Sequence, residues 1–574
     1  MPGSKSCKLF DITVLRYLVT TMGNLKYGVL LLTVILAVQG FLGVCYALFL
    51  KDIIDAAVAG ERELFFKAII KLALLFLSQI ALSSVGRYID EYTASGLENK
   101  FKSRLFDKLL KRDFSMVSSL HSGEWMNRLT SDTVVVAYAL VDILPGVAGM
   151  VVKLVGAIVM IIVLEPRFLY LIVPGGILLI VFSAIFRKKM KSLHKNIQEK
   201  DGSLRTYLQE TLGSLLVVRS YGVEKSTLCQ SKLKMGDHKK ARMMRNHFSN
   251  FCNVGFGLVM QGASVLGAFF CGYGILIGTM SYGNFTAVIS LLAQIQSPFA
   301  NISGYLPRYY AMIASAERLM EIETFTSEGE KTPLSVTEVQ ERYARTFYGF
   351  GLENAEFFYP VRGQSLSANM QKTSQSPLPK KMNLFVGKGE YVAFSGPSGC
   401  GKSTVLKLLM SLYPLDSGER YVVISGKRAL LDGEWQSLFA YVPQGNHLMS
   451  GSIREIVSYA NPDALDDDEK IRLALSAACA EFVYELEKGI DTVLGERGTG
   501  ISEGQMQRLA IARAVFSERP VLMLDECTSA LDEATEAKLL KNLREMTNRT
   551  VVIITHRKSV FEICDKIVNF ENNA

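Results

Sequence analysis

Nine consecutive residues in the last third of the chain have the types and order needed to hold a phosphate chain: Gly396, Pro397, Ser398, Gly399, Cys400, Gly401, Lys402, Ser403 and Thr404. They follow the apolar, β-branched run YVAFS and precede the apolar run VLKLL, which reads as strand, glycine-rich turn and helix. Glycines let successive backbone N–H groups converge on phosphate oxygens, and the helix that opens behind them adds the positive end of its dipole. In the spacing G-x-x-x-x-G-K-[ST], Lys402 reaches the β- and γ-phosphates and Ser403 supplies a hydroxyl ligand to Mg²⁺. A second acidic element follows. The buried run VLMLDE ends in Asp525 and Glu526, placing one carboxylate to hold Mg²⁺ through water and the next to polarise a water that attacks the γ-phosphate in line. The chemistry these residues specify is hydrolysis of a nucleoside triphosphate with Mg²⁺.

Just ahead of VLMLDE stands ISEGQMQRLAIARA, which resembles the signature of the ATP-binding cassette (ABC) family, usually LSGGQ. The resemblance runs along residues 346 to 570 in order and spacing. Tyr359 in FFYP is similar to the family's adenine-stacking aromatic, Gln444 in YVPQ to its Q-loop, Ser529 to Asp532 (SALD) to its D-loop, and His556 in IITHR to its switch histidine. It implies that Gln444 serves both as a Mg²⁺ ligand and in catalysis, and that His556 contacts the γ-phosphate. It also implies that two cassettes sandwich two ATP molecules, each held by one P-loop and the partner's signature. Ser502, Gly504 and Gln505, at the start of a helix, would then face a partner's nucleotide together with Asp532, and a second chain, identical or different, is required. One residue departs from the pattern: Glu503 stands where the family has its first signature glycine. A carboxylate in a first helical turn favours the helix by about 0.3–1 kcal/mol but adds negative charge beside a triphosphate. Two readings stand, a weakened site suited to an asymmetric heterodimer and a solvent-directed Glu without consequence.

These groups need a scaffold, and composition says that much of it lies in lipid. Of 574 residues 49% are hydrophobic and 21% charged, with mean hydropathy +0.21, which excludes a disordered chain, a collagen and a coiled coil. Six stretches approach the roughly 20 apolar residues that a helical span requires: about 28–50, 65–86, 140–164, 167–187, 253–278 and 284–306. The net charge of +8 is concentrated between spans two and three (Arg87, Lys100, Lys102, Arg104, Lys108, Lys111, Arg112, Arg128) and, more densely, between Arg187 and Arg245. The opposite loops carry Lys51, Arg62 and Arg167. By the positive-inside rule both termini and the long loops are cytoplasmic, in a multi-pass protein of the plasma (inner) membrane. The charge then marks a membrane face, so no nucleic-acid partner is expected.

Residues 9–24 read as an amphipathic helix along the inner membrane surface, with no removable signal peptide. The nine scattered cysteines form no C-x-x-C pair, and no His/Cys cluster has zinc spacing. Both long loops continue the spans as helices, interrupted near 118–125 and 213–222 by short transverse segments. The expected architecture is multidomain: a six-helix transmembrane domain with long cytoplasmic extensions (1–324), a linker (325–345) and an α/β P-loop nucleotide-binding domain (346–574) carrying a polar insertion, RGQSLSANMQKTSQSPLPKK.

This arrangement resembles the exporter-type (type IV) ABC half-transporters over almost the whole chain. HSGEWMNRLTSDT and YLQETLGSLLVVRSYGVE are similar to the family's two coupling loops, and QIQSPFANISGYLP followed by ASAERLMEI to its sixth span and exit. No peptidase-like domain is expected ahead of residue 9. The resemblance implies ATP-driven export of a peptide, a lipid or a hydrophobic small molecule; an importer or lipid flippase on the same fold, or an ATP-gated channel, are the alternatives. Lys153, inside span three, contacts an anionic substrate, snorkels, or pairs within the bundle. Gln39, Gln261, Gln294 and Gln296 suit interhelical bonding.

Overall fold

Long helices open the chain because its apolar runs leave the backbone no partner but itself. A computed structural model describes residues 12–325 except 119 and 121, 333–359, 378, and 381–570 except 446, 496–499 and 547; only the backbone is described at 169, 171–173, 175–188, 191, 260, 296–303, 306 and 324. The first helices are α1 (Ile12–Met22), α2 (Lys26–Ala59), α3 (Arg62–Lys111), α4 (Phe114–Val117), α5 (Ser122–Asn127), α6 (Thr133–Leu164), α7 (Leu169–Gly213), α8 (Leu215–Ser220), α9 (Glu224–Leu276) and α10 (Tyr282–Glu321). Four of the expected spans fall within one long helix each, while 167–187 begins two residues before α7 and 253–278 ends two residues past α9. Among the described residues four stretches are long and apolar enough to cross a bilayer: Ile12–Ala59, Arg62–Lys111, Ser122–Leu164 and Glu224–Leu276. The spans expected at 167–187 and 284–306 lie on α7 and α10, much of whose apolar side-chain set is outside the described residues. The interruptions expected near 118–125 and 213–222 coincide with the break between α4 and α5 and with the short helix α8.

Two compact units are present, one comprising Met1–Lys102 with Thr130–Glu317, the other Ser103–Leu129 with Arg318–Ala574. In the first, α2 and α6 pack most extensively, and glycines permit their approach. A Cβ on Gly40 would stand 2.6 Å from the carbonyl oxygen of Gly149, and one on Gly149 would stand 2.9 Å from that of Leu36. Small residues of this kind let membrane helices touch backbone to backbone.

In the second unit the chain continues through α11 (Val336–Arg345), β1 (Phe347–Glu356), β2 (Met382–Gly387), β3 (Tyr391–Ser395), α12 (Lys402–Leu409), β4 (Ser417–Ile424), β5 (Lys427–Leu430), β6 (Phe439–Val442), β7 (Gly451–Ser452), α13 (Ile453–Ser458), α14 (Asp468–Ala477), β8 (Val493–Leu494), α15 (Glu503–Phe516), β9 (Val521–Asp525), α16 (Glu533–Glu545), β10 (Thr550–Ile554), α17 (Lys558–Phe561) and β11 (Lys566–Asn569). A parallel sheet, β11-β3-β10-β9-β6, carries the site, and an antiparallel sheet, β2-β1-β4-β5, packs beside it. Because side chains alternate across a strand, the parallel sheet divides the core. Tyr391, Leu522, Leu524, Val551 and Ile553 face α13 to α16. Val392, Phe394, Val521, Met523, Val552 and Ile554 face α12 and the antiparallel sheet.

Sequence and structure differ over 325–345. Polarity suggested a linker, whereas 336–345 is a helix. Ser335 and Glu338 form a reciprocal capping box at its start, Val339 and Tyr343 are buried, and Tyr343 Oη lies 2.9 Å from Thr550 Oγ1. Two buried residues in ten suffice because the cap satisfies the first-turn donors. Most of the expected polar insertion lies outside the described residues.

Candidate active site

The P-loop forms between β3 and α12 because its glycines take backbone angles that other residues resist. Gly396, Gly399 and Gly401 have φ of 145°, 82° and 94°, and a Cβ on Gly396 would stand 2.5 Å from the carbonyl oxygen of Phe570. Lys402 is 5% exposed. Its Nζ donates to the carbonyls of Gly396 (2.5 Å) and Pro397 (2.9 Å) and lies 3.4 Å from His556 Nε2. The lysine thus folds over its own loop, beside Cys400 at 3.9 Å. Ser398 is exposed at the tip.

Strand β9 brings the acids alongside. Asp525, 2% exposed, accepts from Ser403 Oγ (3.0 Å) on one oxygen and from Tyr441 Oη (3.2 Å) on the other. Burial pushes its carboxyl above the usual carboxylate range, and these two hydrogen bonds oppose the shift. Burial and the Asp525 charge together push the Tyr441 phenol up, so Tyr441 remains a donor. Glu526 sits past the strand end with φ of 51°. Its carboxylate accepts from Gln444 Nε2 at 2.8 Å and lies 3.8 Å from His556 Nε2. β9 and β10 pair in parallel with Ile554 opposite Asp525, which places Glu526 and His556 on adjacent loops at the same sheet edge. Cys527, fully buried behind them, has its thiol pushed up to about 12 by burial.

Of the expected residues, Gly396 to Thr404, Gln444, Asp525, Glu526 and His556 come together. Tyr359 joins through its hydroxyl, 2.8 Å from Thr404 Oγ1; its ring packs edge-on against Phe357 and Tyr413, at centroid distances of 4.8 and 5.6 Å. The signature residues make their contacts elsewhere. Ser502 caps α15 by accepting from the Gln505 amide (3.3 Å), and the Gln505 side chain accepts from the Ser502 amide (2.8 Å). A Cβ on Gly504 would stand 2.8 Å from the carbonyl of Ala530. Asp532 caps α16, accepting from Thr535 N at 2.9 Å, which holds its carboxyl below the usual range. Glu503 is exposed in the first turn of α15.

Three contributors escaped the sequence reading. Tyr441 lies three residues before Gln444, and an inward-facing phenol on β6 is its only signal. Gln507 donates to Ser529 Oγ (3.0 Å) and accepts from Ala530 N (3.1 Å). Tyr413 gathers the aromatic cluster: its ring meets Phe114 at 5.8 Å, and its hydroxyl is 3.2 Å from Ser118 Oγ.

The donor set suits its expected ligands. Hydroxyl, carboxylate and amide oxygens of Ser403, Asp525 and Gln444 are the hard ligands Mg²⁺ prefers.

Known proteins resemble this chain along most of its length. The family profile described as ABC transporter transmembrane region matches residues 29–299, and the one described as ABC transporter matches residues 379–529. The chain belongs to the ABC transporters. A relative from Haemophilus ducreyi, an ATP-dependent lipid A-core flippase, is 28% identical over 97% of this chain and 93% of its own length. ABC transporter B family member 1 of Dictyostelium discoideum is 28% identical over 80% of this chain, which spans 49% of that protein. Among solved structures, a bacterial Atm1-family ABC exporter with ATP bound matches with a TM-score of 0.75 and 21% identity, over 98% of this chain and 95% of that one. This ABC protein is an integral membrane, ATP-hydrolysing transporter of the exporter-type half-transporter arrangement.

Proposed function

We propose that this ABC half-transporter acts in a dimer, identical or mixed, and uses Mg²⁺-dependent ATP hydrolysis to export a hydrophobic cargo: a lipid, a peptide or a small amphiphile. The observation that carries the hydrolytic part is the convergence of Gln444, Glu526 and His556 beside Lys402. On this reading the P-loop amides and Lys402 hold the phosphates, while Ser403, Asp525 and Gln444 hold the metal. Bound there, Mg²⁺ would neutralise charge building on the β- and γ-phosphate oxygens. Tyr441 keeps Asp525 oriented. Glu526 orients the attacking water and takes its proton, His556 contacts the γ-phosphate, and Tyr359 stacks on adenine. Ser502, Gly504, Gln505 and Asp532 would face the nucleotide of the partner subunit. The cassette faces the cytoplasm of a plasma or inner membrane, in keeping with the basic long loops.

Lipid cargo has specific support, because the Haemophilus ducreyi relative matched over 93% of its length is named a lipid A-core flippase. Replacing Glu526 by Gln should reduce hydrolysis by about 10²–10⁴-fold while nucleotide still binds; sustained hydrolysis would remove Glu526 as the base. Inside-out vesicles loaded externally with labelled lipid, peptide or hydrophobic dye would then read direction and cargo. Uptake against a gradient that is lost in Glu526→Gln supports export, and downhill flux that ATP opens equally in Glu526→Gln would point to an ATP-gated channel.

A further inference from the structure

The residue after His556 braces the loops that leave the sheet beside the active site. Past Glu526, whose amide donates to the Ile554 carbonyl at 3.1 Å, the chain turns through Ser529 to Leu531 and enters α16. Arg557 reaches across from the neighbouring loop. Its Nη2 donates to the carbonyl of Ser529 and its Nη1 to that of Leu531, both at 3.0 Å. The same Nη1 lies 3.1 Å from a carboxylate oxygen of Glu536 on α16, whose side chain is 1% exposed. Ser559 Oγ donates to that oxygen at 3.0 Å. A planar fork with several fixed N–H groups can meet two carbonyls and a carboxylate at once, which an ammonium group cannot do in the same geometry. From the opposite side Gln507 clasps the same turn through Ser529 Oγ and Ala530 N.

We infer that Arg557 is a positioning residue for hydrolysis. It fixes the turn after Glu526 against the loop bearing His556 and so sets the separation of those two groups. Glu536 anchors the guanidinium from inside α16, and Gln507 ties the same turn to the signature helix. The inference rests on Glu526 and His556 forming the hydrolytic pair. Arg557 makes its hydrogen bonds to Ser529 and Leu531 and its ion pair to Glu536, away from the P-loop, so its loss should lower turnover and leave nucleotide affinity in place. A displacement of about 1 Å at a reacting group can cost about 10²-fold in rate.

The test uses the full-length protein in lipid nanodiscs, reading ATP turnover against ATP concentration together with equilibrium binding of a fluorescent ATP analogue. Arg557→Ala leaves Glu536 buried without its counter-charge and can fail to fold. The decisive variant therefore pairs Arg557→Met with Glu536→Leu, which removes both charges. We expect kcat to fall by about 10–100-fold in the pair, with KM and the binding constant within about twofold of wild type. Arg557→Lys should regain part of the rate. Adding Gln507→Ala should lower kcat by less in the pair than in wild type, because both act on one turn. Unchanged kcat in the pair would overturn the inference, as would loss of turnover and nucleotide binding in equal proportion. The Glu526→Gln variant separates the two levels. If it hydrolyses normally the underlying reading fails, and if it is inactive while the pair is fully active, only the role of Arg557 fails.

Discussion

Glu526 occupies a left-handed conformation, φ of 51°, that a side chain other than glycine holds at a cost of about 1–2 kcal/mol. The neighbouring bonds to Ile554 and Gln444 keep it there, so the strain is part of how the carboxylate is aimed. Glu526→Gly should therefore end hydrolysis and raise the thermal midpoint of the cassette by a few degrees, about 1 kcal/mol in its favour; Glu526→Gln should end hydrolysis without that gain. Differential scanning calorimetry of the two variants separates them, and equal midpoints would show that no strain is stored. Glu503 is a gentler case. It is exposed, and the cap of α15 is made by Ser502 and Gln505 without it, so Glu503→Gly should change stability by less than about 1 kcal/mol. If the carboxylate weakens a partner's nucleotide site, ATPase of the purified dimer should rise in that variant; an unchanged rate assigns Glu503 to solvent. At this scale the P-loop and the acid pair were legible because each depends on local backbone demands that only certain residue types meet. Tyr441, Gln507 and Arg557 were not, because their partners are set by which strands lie side by side.

Elements show where local reading succeeds and stops. The apolar runs and the strand, turn and helix around Lys402 follow from hydropathy and turn chemistry. Helix α11 was missed because its stability comes from two buried side chains and a cap rather than a broad apolar stripe. The short helix α4 and the residue after it meet Tyr413, which in turn meets Tyr359, whose hydroxyl touches α12 at Thr404. This is a packed route from α4 to the P-loop helix. Tyr413→Phe deletes one hydroxyl contact at about 1 kcal/mol and keeps the ring contacts. Basal ATPase should persist while its stimulation by cargo falls; stimulation equal to wild type would show that the Ser118 contact carries no coupling. Where α16 meets β11, Arg544 grips both oxygens of Asp565 at 2.6 and 2.9 Å and holds its carboxyl below the ordinary range. A depressed folded-state pKa stabilises above the unfolded value and is lost as pH falls through the folded one. The pair is partly exposed, so its contribution is under about 1 kcal/mol. Asp565→Asn should remove that part of the acid dependence from the unfolding profile below about pH 4.

Over the whole molecule, the four stretches among the described residues that are long and apolar enough to cross a bilayer were legible because lipid imposes length and apolarity on any helix that crosses it. The close approach of α2 and α6 was not, since it depends on which glycines face each other. Gly149→Leu would drive a side chain into the Leu36 carbonyl and should lower the thermal midpoint and the yield of folded protein by size-exclusion profile; wild-type behaviour would mean the helices part freely. The boundary after 324 was read from polarity along the chain, yet one compact unit draws in Ser103–Leu129 with Arg318–Ala574. Trp125 is buried there against Phe325 and Arg128, whereas Phe114 meets the Tyr413 ring and stays exposed. During synthesis, then, Trp125 leaves the ribosome well before Phe325, which packs on it. At about 5–20 residues per second the wait for Phe325 is on the order of tens of seconds, an interval in which the indole stands open to chaperones or to a neighbouring nascent chain.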